Sequence, residues 1–400
     1  TSTSLVDDTQ ASQTFSLTAS QTVLVIYQAN NVYGATMPIT GMQNAINVDG
    51  TDYANSWDSP FDETINPTRN TVFWIGTLAS GSHTIKGRFA SGTSGSTATV
   101  SNRILLIYIL NGNAFYYLDS STTSTTSSSS LVDDPQASFT FTPSGTCKAL
   151  ILYNCANSGA TENGYGKKAA INIGGTDYSQ AEKSAYDADY PDSIFTVWAL
   201  SLSTSSTTVK GRFASNDGVT VTISRRQLGI LMFADDTLLD TVSSNTQVST
   251  TSNSLVDDSQ ATISRTTTDV RELLVVAMGT KRDGTIDSNY GECYGIMIDS
   301  TDRANSRGSS SYCPTTGEGA CSAATVFAIN MADGSHTIKG RFSTNYQTYT
   351  AKIDSRRIVA LWLSTVPPPA PEFPLGALLP LFTGFAIFSI LKILQHRYLK

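Results

Sequence analysis

In several stretches of this chain apolar and polar residues alternate with a period of two, the signature of extended strands rather than helices. In "HTIKGRF", which begins at His83, Ile85, Gly87 and Phe89 share one face while Lys86 and Arg88 share the other. "INVDG" from Ile46 and "INIGG" from Ile171 alternate and then stop at glycine, as a strand entering a tight turn does. Three further runs, "TVLVIYQA" from Thr22, "ALILYNCA" from Ala149 and "ELLVVAMG" from Glu272, are apolar almost throughout. Short uninterrupted runs of this kind predict strands buried on both faces.

The pattern recurs. "SLVDD" opens at Ser4, Ser130 and Ser254, with periods of 126 and 124 residues. "KGRF" follows at Lys86, Lys210 and Lys339, and between the two landmarks lie "DGTDYANS" from Asp49, "GGTDYSQA" from Gly174 and "DSTDRANS" from Asp299. An apolar strand closes each copy: "NRILLIYIL", "RRQLGILMF" and "RRIVALWL". Four landmarks in one order, three times, indicate tandem duplication, and the long period makes each copy a domain rather than a solenoid unit. About eight strands per copy imply a β-sandwich or jelly roll.

These strands and turns, "VLVIY", "VDGTDY", "GSHTIKGRF" and "VTISRRQLGIL", resemble jelly-roll modules of the tumour necrosis factor and complement globular-head superfamily. The resemblance implies an all-β fold of three tandem jelly-roll-like sandwiches. Such modules usually trimerise, so three copies in one chain imply an intramolecular pseudo-trimer or, alternatively, a linear stalk. The predicted boundaries are a first sandwich over 1–118, a second over 119–242 and a third over 243–363. Ser/Thr-rich joints open the second and third, at 119–130 and 243–254. Their composition reads either as a flexible or O-glycosylated linker or as an edge strand of the domain's own sheet.

Beyond the third copy the character changes. A Pro-rich spacer, 364–372, leads to 19 uncharged residues, 373–391, and a basic end, 392–400. At 1.5 Å per residue the uncharged stretch reaches roughly 28 Å, enough for a C-terminal transmembrane helix with the basic end inside and the sandwiches outside. Pro371, Glu372, Phe373 and Pro374 resemble the archaeal PEF-type sorting signal, which implies a tail read by a membrane transpeptidase-like enzyme. The basic residues here are spread out rather than clustered, so permanent anchoring stays open.

Composition narrows the chemistry. A net charge of −7, with 15 % charged residues and no basic stripe, argues against a nucleic-acid partner. Only three histidines are present and no base–nucleophile arrangement is visible, which argues against an enzyme. No cofactor is expected, apart from a calcium ion for which Asp7, Asp8, Asp133, Asp134, Asp257 and Asp258 are the candidates. Adjacent aspartates on a strand point to opposite faces, however, and a KGR arginine or a turn is the competing destination. Cys147 and Cys155 bracket one strand and lie roughly 26 Å apart at about 3.3 Å per residue, too far to bond. Cys313 and Cys321 close a short loop and are the favoured disulfide, with Cys293 competing. Trp57, Lys86 and Arg88 are candidate glycan contacts, against core packing and a solvated strand face.

The expectation is therefore a non-catalytic protein of the cell surface, structural or adhesive, anchored by its tail and associating with itself or with other surface proteins. An array of carbohydrate-binding modules and a viral spike or virion protein are the alternatives.

Overall fold

A computed structural model of the chain describes residues 2–33, 41–58, 68–92, 94–110, 113–158, 166–184, 192–215, 218–283, 291–309, 320–344 and 350–364. All the architecture below belongs to one compact unit, Thr1–Leu363. The expected spacer beyond Ser364, the expected membrane helix and basic end, the expected sorting motif and the expected Cys313–Cys321 pairing lie outside the described residues. Among the described residues no helix is long and apolar enough to cross a membrane.

The fold is all-β. Repeat 1 contributes β1 (Val6–Leu17), β2 (Gln21–Tyr33), β3 (Met42–Val48), β4 (Thr51–Asp58), β5 (Thr68–Leu78), β6 (Gly81–Ser91) and β7 (Ala98–Leu110). They form two antiparallel sheets, β1-β6-β3-β4 and β5-β2-β7. Repeat 2 adds β8 (Phe115–Ser120) and β9 (Ser124–Thr126) before β10 (Val132–Phe141), β11 (Cys147–Ser158), β12 (Gly166–Ile173), β13 (Thr176–Ser184), β14 (Asp192–Leu202), β15 (Thr207–Ser215) and β16 (Val221–Ala234). Its sheets run β10-β15-β12-β13 and β14-β11-β16-β8, with β9 also on β16. This interleaving of early and late strands is the jelly-roll order.

Repeat 3 matches repeat 2 strand for strand: β17 (Leu238–Ser244), β18 (Val248–Thr250), β19 (Val256–Thr267), β20 (Arg271–Asp283), β21 (Gly291–Ile298), β22 (Thr301–Ser309), β23 (Ala320–Met331), β24 (Gly334–Thr344) and β25 (Ala351–Ser364). Its sheets run β19-β24-β21-β22 and β17-β25-β20-β23, with β18 on β25. The Ser/Thr-rich joints are thus not loose linkers. Asp119 and Ser120 pair with Gln227 and Arg226, and Ser243 and Ser244 pair with Arg357 and Arg356. Each joint is the edge strand of the sheet that follows it.

Both faces of the inner sheets are covered, which explains the uninterrupted apolar runs. On β2, Val23, Val25 and Tyr27 enter the core of repeat 1, while Leu24 and Ile26 enter a second core shared with the other repeats. On β20, Leu273, Val275 and Ala277 fill the sandwich while Leu274, Val276 and Met278 face the shared core. Three strand contacts close a ring: β4 meets β14, β13 meets β23, and β22 meets β5. Each repeat offers the same strand to the next, so the arrangement is pseudo-threefold rather than a beaded stalk.

The glycine of each KGRF phrase has a specific neighbour. A Cβ at Gly87 would lie 2.4 Å from the Tyr27 ring, and one at Gly211 would lie 2.4 Å from that of Tyr153. In repeat 3 the strand counterpart is Ala277, and Tyr294 from the opposite sheet fills the space instead, its hydroxyl 2.6 Å from a Cβ at Gly340. Gly211→Ala is expected to destabilise by about 1–3 kcal/mol through overpacking. A urea midpoint unchanged in that variant would show that the ring moves aside freely.

Candidate functional site: the aspartate pairs and the charged ladder

Turn chemistry brings the charged residues of each repeat together. The hairpin between β3 and β4 turns through Asp49 and Gly50, whose φ values of 51° and 89° suit a two-residue turn of the primed class. Gly174–Gly175 and Asp299–Ser300 repeat this geometry. The turn fixes the register that sets Asp52 beside the β6 strand, where Arg88 Nη1 donates to Asp52 Oδ2 at 2.6 Å. Arg212 meets Asp177 at 2.6 Å and Arg341 meets Asp302 at 2.8 Å in the same way.

The two aspartates of each LVDD phrase part company. Asp7 faces out, 2.6 Å from Lys86 and 3.0 Å from Arg88. Asp133 pairs with Lys210 and Arg212, and Asp257 with Lys339 and Arg341, at 2.5–3.1 Å. The hydrogen bond from Lys86 is the main influence holding the Asp7 carboxyl below the usual range. Each repeat therefore carries two cations and two anions in one outward ladder, locally neutral and half-exposed. Such pairs contribute about 0–1 kcal/mol each.

Asp8 turns inward. Its Oδ1 accepts the Gln10 N–H at 3.1 Å and shapes a bulge opposite Gly87, where the β1–β6 register shifts. Its Oδ2 accepts from the Tyr27 hydroxyl at 2.9 Å and lies 2.8 Å from Arg103 Nε. Asp134 repeats the bulge and meets Tyr153 at 3.0 Å and Arg226 at 2.7 Å. Asp258 meets Arg356 at 2.6 Å, and burial holds its carboxyl above the ordinary range against the pull of that arginine. Both partners of the Asp134–Arg226 and Asp258–Arg356 pairs have 0 % exposed side chains. Among the described residues no group of three or more His, Cys, Asp or Glu side chains converges to hold a metal ion.

The arginines that bind these inner aspartates were invisible to motif reading. The signal was present, in "SRR" at Ser224–Arg226 and Ser355–Arg357 and "NR" at Asn102–Arg103, all at the head of the closing strand. Trp57 is half-buried on β4, beside Gln43 of the neighbouring strand. Cys147 and Cys155 lie on the single strand β11, as their spacing requires.

Two histidines tie the hairpin to β6 and β24. His83 Nδ1 sits 2.6 Å from Asp49, and His336 Nδ1 sits 2.7 Å from Asp299. The hydrogen bond with Asp49 raises the His83 pKa, and His83 in turn lowers that of Asp49 against its partial burial. A raised imidazole stabilises fully below about pH 6.5 and loses its contribution as pH rises through the folded value; the carboxylate loses its own as pH falls below about 4. Thr207 replaces histidine in repeat 2. The double variant His83→Thr, His336→Thr should therefore show a larger deficit in urea midpoint at pH 5.5 than at pH 9. Equal deficits would remove the charged imidazole from the account.

No protein-family model and no curated protein matches this chain. Among solved structures, PNGF-II is 9 % identical with a TM-score of 0.30, over 88 % of this chain and 100 % of that one. An archaeal virus protein described by its triple jelly-roll fold and turret assembly is 10 % identical at 0.19, over 88 % and 81 %. A structure of infectious bursal disease virus, Gt strain, is 7 % identical at 0.20, over 92 % and 82 %. At these TM-scores none of the three bears on what the chain does, and the jelly-roll-like fold rests on its own strand order.

Proposed function

We propose that this chain is a non-catalytic structural subunit of a surface assembly, held at a membrane by residues 373–391 with its sandwiches outward. The observation that supports the reading best is the shared core: three repeats close a ring around one apolar interior, which makes a rigid block. Its outward ladders are charge-matched within each repeat, which suits packing beside other protein surfaces better than capture of an anion. A virion shell or spike subunit is the second reading, favoured by the same block. Cell fractionation followed by negative-stain electron microscopy of the full chain tests both. Regular arrays or filaments in the membrane fraction support the surface role, and the protein in particles that enclose nucleic acid supports the virion role. Recovery as a dispersed cytosolic monomer overturns both.

A further inference from the structure

Repeats 2 and 3 match strand for strand, yet they fill one corner of the sandwich with different side chains. In repeat 3 the corner is sealed. The Trp362 indole is fully buried there, its N–H donating to Asp240 at 2.9 Å and its ring stacked on His336 at 5.8 Å. Arg265 Nε donates to the same carboxylate at 2.8 Å. By strand register, the equivalent positions of repeat 2 hold Met232, Tyr116, Thr207 and Phe141. The Tyr116 ring packs on those of Phe141 and Phe139 at 4.7 and 5.4 Å, and Tyr116 and Met232 both stay half-buried. Beside them a cleft of about 500 Å³ opens between the start of β8, the β10–β11 turn and the end of β16. That is the size of a small-molecule site.

The cleft has fixed walls and a neutral lining. Asn113 Nδ2 donates to the Met232 carbonyl at 2.8 Å, and the Met232 N–H donates to the Ala114 carbonyl at 2.9 Å. The Thr146 hydroxyl donates to Asp235 at 3.1 Å, and that carboxylate is already matched by Lys148 at 3.0 Å. None of the described lining residues is charged. Tyr116, Met232 and Pro143 supply apolar surface, while Asn113, Thr142 and Ser144 supply neutral donors and acceptors. We propose that this cleft binds an uncharged, polyhydroxylated ring of monosaccharide size. The C–H groups of such a ring lie against Tyr116 and Met232, and its hydroxyls reach Asn113, Thr142 and Ser144. An ion finds no charged partner here, and a purely aromatic molecule leaves the polar groups unmatched. The proposal uses none of Trp57, Lys86 and Arg88, and it does not rest on the surface role above.

The test uses the full chain and the methyl glycosides of glucose, galactose, mannose and N-acetylglucosamine. Cys147 lines the cleft as a half-buried free thiol, so its alkylation by iodoacetamide, read by peptide mass spectrometry, reports occupancy. At least one glycoside is expected to slow that reaction saturably, by about fivefold or more. Met232→Trp, which installs the repeat 3 side chain, and Tyr116→Ala should each abolish the protection, whereas Trp57→Ala should leave it unchanged. Cys155, buried on the same strand, reports any unfolding of a variant in the same spectra. Three results overturn the proposal: no glycoside slows the alkylation; protection persists in folded Tyr116→Ala; or indole protects better than every glycoside, which makes the occupant an aromatic ring.

Discussion

Arg226→Met is expected to lower stability by about 3–5 kcal/mol, because it leaves the Asp134 carboxylate buried without its cation. The pair has no exposed side-chain surface. The guanidinium also holds Thr122 and Ser124 of the joint, so the same change should loosen β9 from β16. Arg103→Met makes the matching cut in repeat 1 and should cost less, since solvent reaches that side chain. Urea denaturation of the full chain gives the comparison. Equal losses for the two variants would mean that the joint does not seal the ion pair. Adding Asp134→Leu to Arg226→Met should recover part of the loss, since a buried pair is harder to break than to replace.

The second large effect is at the shared core. Phe73 is fully buried, with its ring edge-on to Tyr117 at 6.0 Å and to Phe195 at 6.2 Å, both from repeat 2. Phe73→Ala should cost about 3–5 kcal/mol, the usual range for removing a buried aromatic ring. Hydrogen exchange then distinguishes a shared core from three private ones. Faster exchange is expected in β14 and β16 as well as in β2 and β5, and faster exchange confined to β2 and β5 would contradict a core held in common.

Much of the sandwich was legible because it rests on local rules. The alternation of "HTIKGRF" survives as β6, with Ile85 fully buried and Lys86 half-exposed. Gly87 lies opposite the β1 bulge and against the Tyr27 side chain, a neighbour that the alternation alone does not name. The opposite faces of Asp7 and Asp8 follow from the pleat alone. The joints resisted because composition does not distinguish a soft linker from an edge strand: Ser and Thr suit both, and pairing with β16 or β25 decides. Ring closure stayed one of two alternatives, beside a linear stalk, for another reason. Leu24 and Ile26 announce themselves as buried, but nothing in their spelling says that other repeats do the burying. The inner arginines escaped notice because their partners lie about 100 residues away in sequence.

The edge strand made by each joint decides where this polypeptide can be divided. A fragment started at the obvious landmark, Ser130, would leave β8 and β9 behind and bare the flank of β16. Started at Phe115 and stopped after Ala234, it would keep one jelly roll whole while stripping the neighbours from Leu150 and Leu152. Such a piece has one oily side and two sisters of nearly the same shape, and should seek copies of itself in threes. The 363-residue block then reads as a trimer whose subunits have been stitched end to end, each stitch doubling as the first strand of the subunit that follows it.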